Sequence, residues 1–342
     1  MKNKIVLLTI AFLLSFPLLQ SQVQEHKIAV IGFYNVENLF DTENDPNIND
    51  EQFLPEGDYQ WTPERYERKL QNLSKVIAAI AKEHGGVAIL GLSEIENRRV
   101  MEDLTNTDLL RPMNFGVAHH DSPDRRGVDV GLIYRKDRFR VIGQKAFRLN
   151  YPADTSFRTR DQLLVTGILD MTDTLHVIVN HWPSKSGGEK RSMPMRNAAA
   201  QLSKQISDSL MNANPNAKVI IMGDLNDNPN AKSLVEHLGA KGKAKDVGER
   251  ELFNPMWQPY RDGLGSYAYR DTWELIDMII ISNGLLNAKT GYKYKSMEIF
   301  RANFLLTKTG SFTGYPYRTY AGGAYQGGYS DHLPVFIILQ RN

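Results

Sequence analysis

From Lys27 onward, short Val- and Ile-rich runs alternate with amphipathic stretches and with Gly-, Pro- and Asn-rich connections. Brief β-branched runs bounded by turn formers have the length of buried strands, whereas helices need longer stretches of 3.6-residue period. Strands are predicted at IAVIGFYNV from Ile28, VAILGLSEI from Val87, VDVGLIYR from Val128 and LLVTGILDM from Leu163. Four more are predicted at LHVIVNH from Leu175, KVIIMGDLN from Lys218, LIDMIIIS from Leu275 and LPVFIILQ from Leu333. Helices are predicted from Pro63 to Glu83, with Thr62 as cap and Pro63 in the first turn, from Met195 to Met211 and from Ser233 to Leu238. Strands outnumber helices and several helices follow strands, so the pattern predicts an α/β chain of two packed sheets flanked by helices. No long linker or low-complexity tract divides it, and residues 23–342 read as one domain.

The amino-terminal segment has a different pattern. Lys2 and Lys4 precede an apolar run from Ile5 to Leu19, and Gln20, Ser21 and Gln22 turn polar. That is the layout of a secretory signal peptide, and the run falls short of the roughly 20 residues that span a bilayer. Residues 1–22 are therefore expected to be a signal, and the protein to be exported to the periplasm or beyond the cell; an uncleaved anchor is the alternative.

Composition adds two constraints. The chain has no cysteine, which excludes disulfides, thiolate metal sites, cysteine nucleophiles and lipid attachment at a cysteine after the signal. Any metal must rest on oxygen or imidazole. With Lys2 and Lys4 set aside, the 41 basic side chains fall to parity with the 39 acidic ones, so no global field draws the chain to polyanions. Binding a nucleic acid would need a local basic patch. Candidates are Arg125, Arg126, Arg135, Lys136, Arg138 and Arg140 in one segment and Lys185, Lys190, Arg191 and Arg196 in another; a plain solvated surface explains them equally well. The sequence carries no sign of a stable protein partner, and a monomer is expected.

The chemistry gathers where predicted strands end. Asn35 lies in FYNVENLF and Glu94 in LSEIEN. A neutral oxygen donor beside a carboxylate suits a hard cation, magnesium first, with manganese or calcium as alternatives. Either residue alone is as readily a turn or cap. His181, in LHVIVNHWPSK, follows an apolar run from which its ring could enter a cleft, or it could pack beside Trp182. KVIIMGDLND ends in Asp224, Asn226 and Asp227, of which turn formation explains Asn226 and Asp227 better than Asp224. GYSDHLPV sets Asp331 beside His332, with side chains that alternate in direction. Asp277 falls inside the apolar run LIDMIIIS, where a buried charge needs a partner. His332 is the natural one, because a carboxylate on its ring would fix the tautomer and favour the imidazolium.

In this order FYNVENLFD, SEIEN, NHWPSK, GDLND and SDHLPV resemble the endonuclease/exonuclease/phosphatase superfamily, and most closely its bacterial secreted-nuclease branch. The resemblance covers nearly the whole mature chain. It implies a four-layer α-β-β-α sandwich of two mixed sheets with the site at one edge. It further implies Glu94 as the principal metal ligand, helped by Asn35, with Asp331 completing the site. Asp224 would orient or deprotonate the attacking water and Asn226 would hold a phosphate oxygen. His332, paired to Asp277, would stabilise charge on phosphorus, and His181 would contact phosphate or protonate the leaving oxygen. Arg160 resembles a phosphate-contacting arginine of the deoxyribonuclease branch, Arg126 belongs to the basic segment that would meet substrate, and Asp129 is a candidate acidic partner for His181.

The reaction so implied is hydrolysis of a DNA or RNA phosphodiester by in-line attack of water. A cation and two imidazoliums would offset the negative charge. A lipid or small-molecule phosphoesterase would use the same core with a different platform, an apolar inserting hairpin instead of basic and aromatic surfaces. Tyr315, Tyr317, Tyr320, Tyr325 and Tyr329 are candidate stacking surfaces. A strand-binding protein that has lost catalysis is the third reading, and the complete set of candidate catalytic side chains argues against it.

Overall fold

The computed structural model of the chain describes residues 27–341. The expected signal peptide, residues 1–22, lies outside them.

In chain order the strands are β1 (Ile28–Leu39), β2 (Val87–Ile95), β3 (Phe115–His119), β4 (Asp129–Arg135), β5 (Phe139–Phe147), β6 (Gln162–Leu169), β7 (Asp173–His181) and β8 (Lys218–Asp224). They continue with β9 (Ala240–Lys241), β10 (Leu252–Phe253), β11 (Tyr267–Tyr269), β12 (Thr272–Glu274), β13 (Asp277–Ser282), β14 (Lys293–Ile299), β15 (Tyr320–Ala321), β16 (Ala324–Tyr325) and β17 (Val335–Gln340). The main helices are α1 (Pro63–Ala79), α2 (Arg98–Thr105) and α3 (Glu189–Ala213). A six-stranded sheet runs β14-β17-β1-β2-β4-β3 and a seven-stranded sheet runs β5-β6-β7-β8-β13-β10-β9. Both are mixed. β1 pairs parallel with β2 and antiparallel with β17, and β8 pairs parallel with β7 and antiparallel with β13.

The central strands read as continuous apolar runs because both of their faces are covered. Between the sheets, Ile31, Phe33, Ile89 and Leu132 join Val177, Val179, Met222 and Ile279 in one buried core. On its outer side the six-stranded sheet offers Val30, Tyr34, Leu90 and Leu92 to Leu73, Val76 and Ile77 of α1 and to Val100 and Leu104 of α2. α3 covers the other sheet with Ala199, Ala200 and Ile206. The result is the expected four-layer sandwich. Each fully buried aliphatic side chain contributes about 1.5–3 kcal/mol. At Gly91 the sheets come so close that a Cβ would lie 2.5 Å from Met222 Sδ, so a side chain there would push them apart.

All eight predicted strands form. β3, β5 and β14 were not legible, and all three lie at sheet edges. Polar residues interrupt β5 and β14 and protect the open edge, whereas β3 is only the short run Phe115–His119 with a glycine inside it. α2 also escapes the pattern, although Asn97 caps it by accepting from Val100 N at 3.1 Å. Residues Ser233–Leu238 form a wide π-type turn instead of an α-helix. Thr62 occupies the cap position of α1, but its side chain does not bond the helix backbone. Two members of the expected basic patches are buried ion-pair partners: Arg138 meets Asp170 at 2.6 Å and Arg196 meets Asp227 at 2.9 Å. Neither is free to meet a polyanion.

Candidate active site

Strand register assembles the centre. In the seven-stranded sheet His181 is the direct partner of Asp224, and Asp224 of Asp277, across three adjacent strands. The six-stranded sheet supplies Asn35 from β1, Glu94 from β2, and Asp331 and His332 from the segment entering β17. β2 shifts register between Ser93 and Ile95, and Glu94 sits in this bulge at φ 60°. A left-handed glutamate is strained, and bulges next to active sites re-aim side chains. Asn226 is likewise left-handed, at φ 52°.

The side chains converge on Asp224. Its Oδ2 accepts from Asn35 Nδ2 at 3.0 Å and lies 3.7 Å from His181 Nε2 and 3.9 Å from His332 Nε2. Its Oδ1 accepts from the Asn226 backbone N–H at 3.0 Å. Asn226 Nδ2 donates to the Trp182 carbonyl at 3.0 Å, tying the loop after β8 to that after β7. His332 Nδ1 is 2.7 Å from Asp277 Oδ2, which also accepts from Ser266 Oγ at 2.5 Å. His332 Nε2 faces Asp331 Oδ1 at 3.8 Å, and Glu94 Oε1 lies 3.9 Å from His181 Nε2. Glu94, His181, Asp224, Asn226, Asp331 and His332 line one cleft of about 400 Å³, together with Arg126, Lys185, Tyr267, Tyr269 and Glu274.

The two histidines differ in charge. Burial alone would push His332 down, but Asp277, Asp331 and Asp224 outweigh it and hold the ring well above its ordinary value, as an imidazolium. His181 is driven well below that value by burial and by Arg160, Arg126 and His332, and is neutral. The expected pair of imidazoliums is therefore one imidazolium and one neutral ring. Asp224 is pushed up to about 7, first by burial and, against the pull of His332, by Asp277 and Glu94.

The donor set fits a hard divalent cation. Glu94 Oε2 accepts from Asn38 N–H at 3.1 Å, which fixes the carboxylate while Oε1 faces His181 in the cleft. Asp331 and Asp224 add carboxylates to the same cleft, and such cations take few protein oxygens and keep several waters. Asn35 is held at both ends of its amide, by Glu37 N–H and by Asp224, so its part is secondary. Asp224, Asp277 and His332 also bring ligand atoms within 4.8 Å of one another. Asp277 Oδ2 there is already bonded to Ser266 Oγ and His332 Nδ1.

Three expected substrate residues separate here. Arg160 is buried: its Nε donates to the His181 carbonyl at 3.2 Å, Nη2 to the Trp182 carbonyl at 2.8 Å and Nη1 to Asp124 at 3.1 Å. A guanidinium so engaged positions the His181 loop and is not presented to phosphate. Asp124 in turn accepts from Arg126 N–H at 3.0 Å, and Arg126, half-exposed, carries its charge into the cleft. Asp129 pairs with His119 Nε2 at 3.0 Å and with the Ser122 N–H at 2.9 Å. It is committed to that pair and is not the partner of His181. The tyrosines before Asp331 pack elsewhere: Tyr329 against Phe304 and Tyr317, and Tyr320 against Tyr59 and Tyr325. Tyr267 and Tyr269 line the cleft instead. Their three-residue strand is too short to leave a periodic signal.

The sequence profile of the family described as Endonuclease/Exonuclease/phosphatase matches residues 30–341. No curated protein matches the chain by sequence. Among solved structures, an endonuclease/exonuclease/phosphatase family protein from Bacteroides thetaiotaomicron is similar at a TM-score of 0.54 and 15% identity, over 92% of this chain and 98% of that one. A mannosyl-6-phosphatase from the same organism is similar at 0.53 and 16%, over 91% and 99%. D. rerio TDP2, solved with a single-strand DNA product, is similar at 0.53 and 12%, over 92% and 99%. At these identities the likeness is one of fold.

Proposed function

The chain belongs to the endonuclease/exonuclease/phosphatase family, and from that premise we propose that it is an exported, magnesium-dependent phosphodiesterase that hydrolyses nucleic-acid strands. The observation that carries the reading is the convergence of Asn35, His181 and His332 on Asp224 in a cleft shared with Glu94 and Asp331.

Asp224 is the base. A carboxylate raised to about 7 is strong enough to take a proton from water near neutral pH, and its bonds to Asn35 and Asn226 fix its direction. His332, cationic and held by Asp277, offers Nε2–H to the phosphoryl oxygens as negative charge gathers there. Neutral His181 contributes a hydrogen bond at the leaving oxygen, and Arg126 offsets charge at the mouth. Glu94 and Asp331 would hold a divalent cation, which would supply Lewis-acid polarisation of a phosphoryl oxygen and a lowered pKa for water. With Asp224 acting on water, the attack is in line and leaves no covalent enzyme intermediate. The cleft wall carries Arg126, Lys185 and two tyrosines with a single aliphatic residue, Ile276, which supports a polar, ring-bearing substrate over a lipid. Export rests on the pattern of residues 1–22.

The test is hydrolysis of plasmid DNA, structured RNA, sphingomyelin and a phosphomonoester with magnesium, manganese, calcium or chelator, beside Glu94→Ala and His332→Ala. Metal-dependent strand cutting lost in both variants is expected. Turnover of only the lipid or the monoester would overturn the substrate, and strand binding without any turnover would leave a binding protein.

A further inference from the structure

Tyr267 and Tyr269 stand two residues apart on one face of β11, with rings 14° from parallel and centres 6.5 Å apart. The row starts at the catalytic imidazolium: the Tyr267 ring is centred 4.8 Å from that of His332. It leads outward to Tyr269, which is 52% exposed and backed by the Arg270 guanidinium 5.1 Å from its ring centre. Both tyrosines line the cleft.

Short two-stranded hairpins are marginal alone, yet this one is tied directly to the catalytic groups. Tyr267 bridges His332 in antiparallel fashion. Leu333 N–H donates to the Ser266 carbonyl at 2.7 Å, and Ser266 N–H donates to the Glu274 carbonyl at 2.9 Å. Ser266 Oγ bonds the Asp277 carboxylate that orients His332. On the far strand, Glu274 holds Lys185 at 2.6 Å. The rings are thus fixed in register with the imidazole that meets phosphate. An exposed aryl face adds little to the fold, whereas aromatic faces in a fixed row bind planar rings by stacking.

We propose that Tyr267 and Tyr269 form a stacking subsite for the base of the nucleotide whose phosphate lies at His332, making base-bearing phosphates the substrate class of the cleft. This rests on the phosphoesterase reading of the same site. Every base has a π face, so the subsite distinguishes base from no base and carries little sequence preference.

The experiment is calorimetric binding of thymidine 5′-monophosphate and of deoxyribose 5-phosphate to the full chain in chelator, for the wild type, Tyr269→Phe, Tyr269→Ala and the double variant Tyr267→Ala/Tyr269→Ala. The wild type and Tyr269→Phe are expected to prefer the base-bearing ligand by about fivefold or more. That ratio should fall in Tyr269→Ala and approach one in the double variant. Equal binding of the two ligands by the wild type, a ratio unchanged in the double variant, or no binding of the mononucleotide overturns the proposal. Strand hydrolysis by the wild type, measured in parallel, reports on the nuclease reading separately. Base preference without strand cutting would remove that reading and keep the subsite; cutting without base preference would do the reverse.

Discussion

His332 Nδ1 and Asp277 Oδ2 meet at 2.7 Å, both buried, one from the segment entering β17 of the six-stranded sheet and the other from the first residue of β13 in the seven-stranded sheet. The bond joins the two sheets at the point where the chemistry is placed, so packing of the sandwich and charge on the catalytic ring are one arrangement.

Asp277→Asn removes the largest influence that raises His332. The ring then loses its proton at lower pH, and the alkaline limb of the kcat/KM profile moves down. Activity at pH 8 should fall by about 10²-fold or more, and by less at pH 6. The linked stability follows the same sign. A raised imidazole pKa stabilises the fold fully below the unfolded value of about 6.5, and that contribution is lost as pH rises through the folded value. The melting deficit of the variant should therefore be larger at pH 6 than at high pH. A rigid downward shift of the whole rate profile would contradict this.

Asp224→Asn should trade activity for stability. The native carboxyl is raised to about 7 against about 3.8 unfolded. The folded state therefore holds an extra proton between those values, and stability is lost as pH rises through the window. In chelator the variant should melt several degrees above the wild type at pH 8 and gain less at pH 4, while turnover falls about 10²- to 10⁴-fold. Calorimetry at the two pH values decides it.

Arg160→Lys should be costly despite the kept charge. An ammonium cannot reproduce the fork that spans the His181 and Trp182 carbonyls and Asp124. Asp124 is left in a buried, poorly paired state, at about 3–5 kcal/mol if the pair is lost outright. Urea unfolding should show the loss. The kcat should fall as well, because the same contacts set the His181 loop and Arg126.

Glu94→Gln should uncouple the protein from divalent cations. Ligand binding to the native state alone raises stability by about 2.7 kcal/mol at a hundredfold excess over Kd. Magnesium or manganese should raise the wild-type melting temperature and leave that of the variant nearly unmoved. An equal rise in both would place the cation elsewhere.

Much of this protein can be read along the chain. Val87–Ile95 forms a strand over the whole of its predicted run, and the other central strands were equally visible, because an element covered on both faces is apolar throughout. Asp277 stands out as a residue in need of a partner because charge inside an apolar run is costly, and His332 is the candidate because a carboxylate on its ring fixes the tautomer and favours the imidazolium. The edge strands β5 and β14 were hidden, since polar, solvent-facing positions break their pattern.

The sequence by itself determined two packed sheets flanked by helices and the strand ends at which polar residues gather, because burial and turn formation are written in local composition. The chemistry of the five blocks is what their family resemblance implies. Only the tertiary structure decided which polar groups share an environment. It buried Arg160 beneath the His181 loop, gave Asp129 to His119, left His181 neutral beside a cationic His332, and brought Tyr267 and Tyr269 to the cleft in place of the later tyrosines. Those outcomes depend on distances between residues far apart in the chain, and proton affinity and exposure are set by such distances and not by neighbours in sequence.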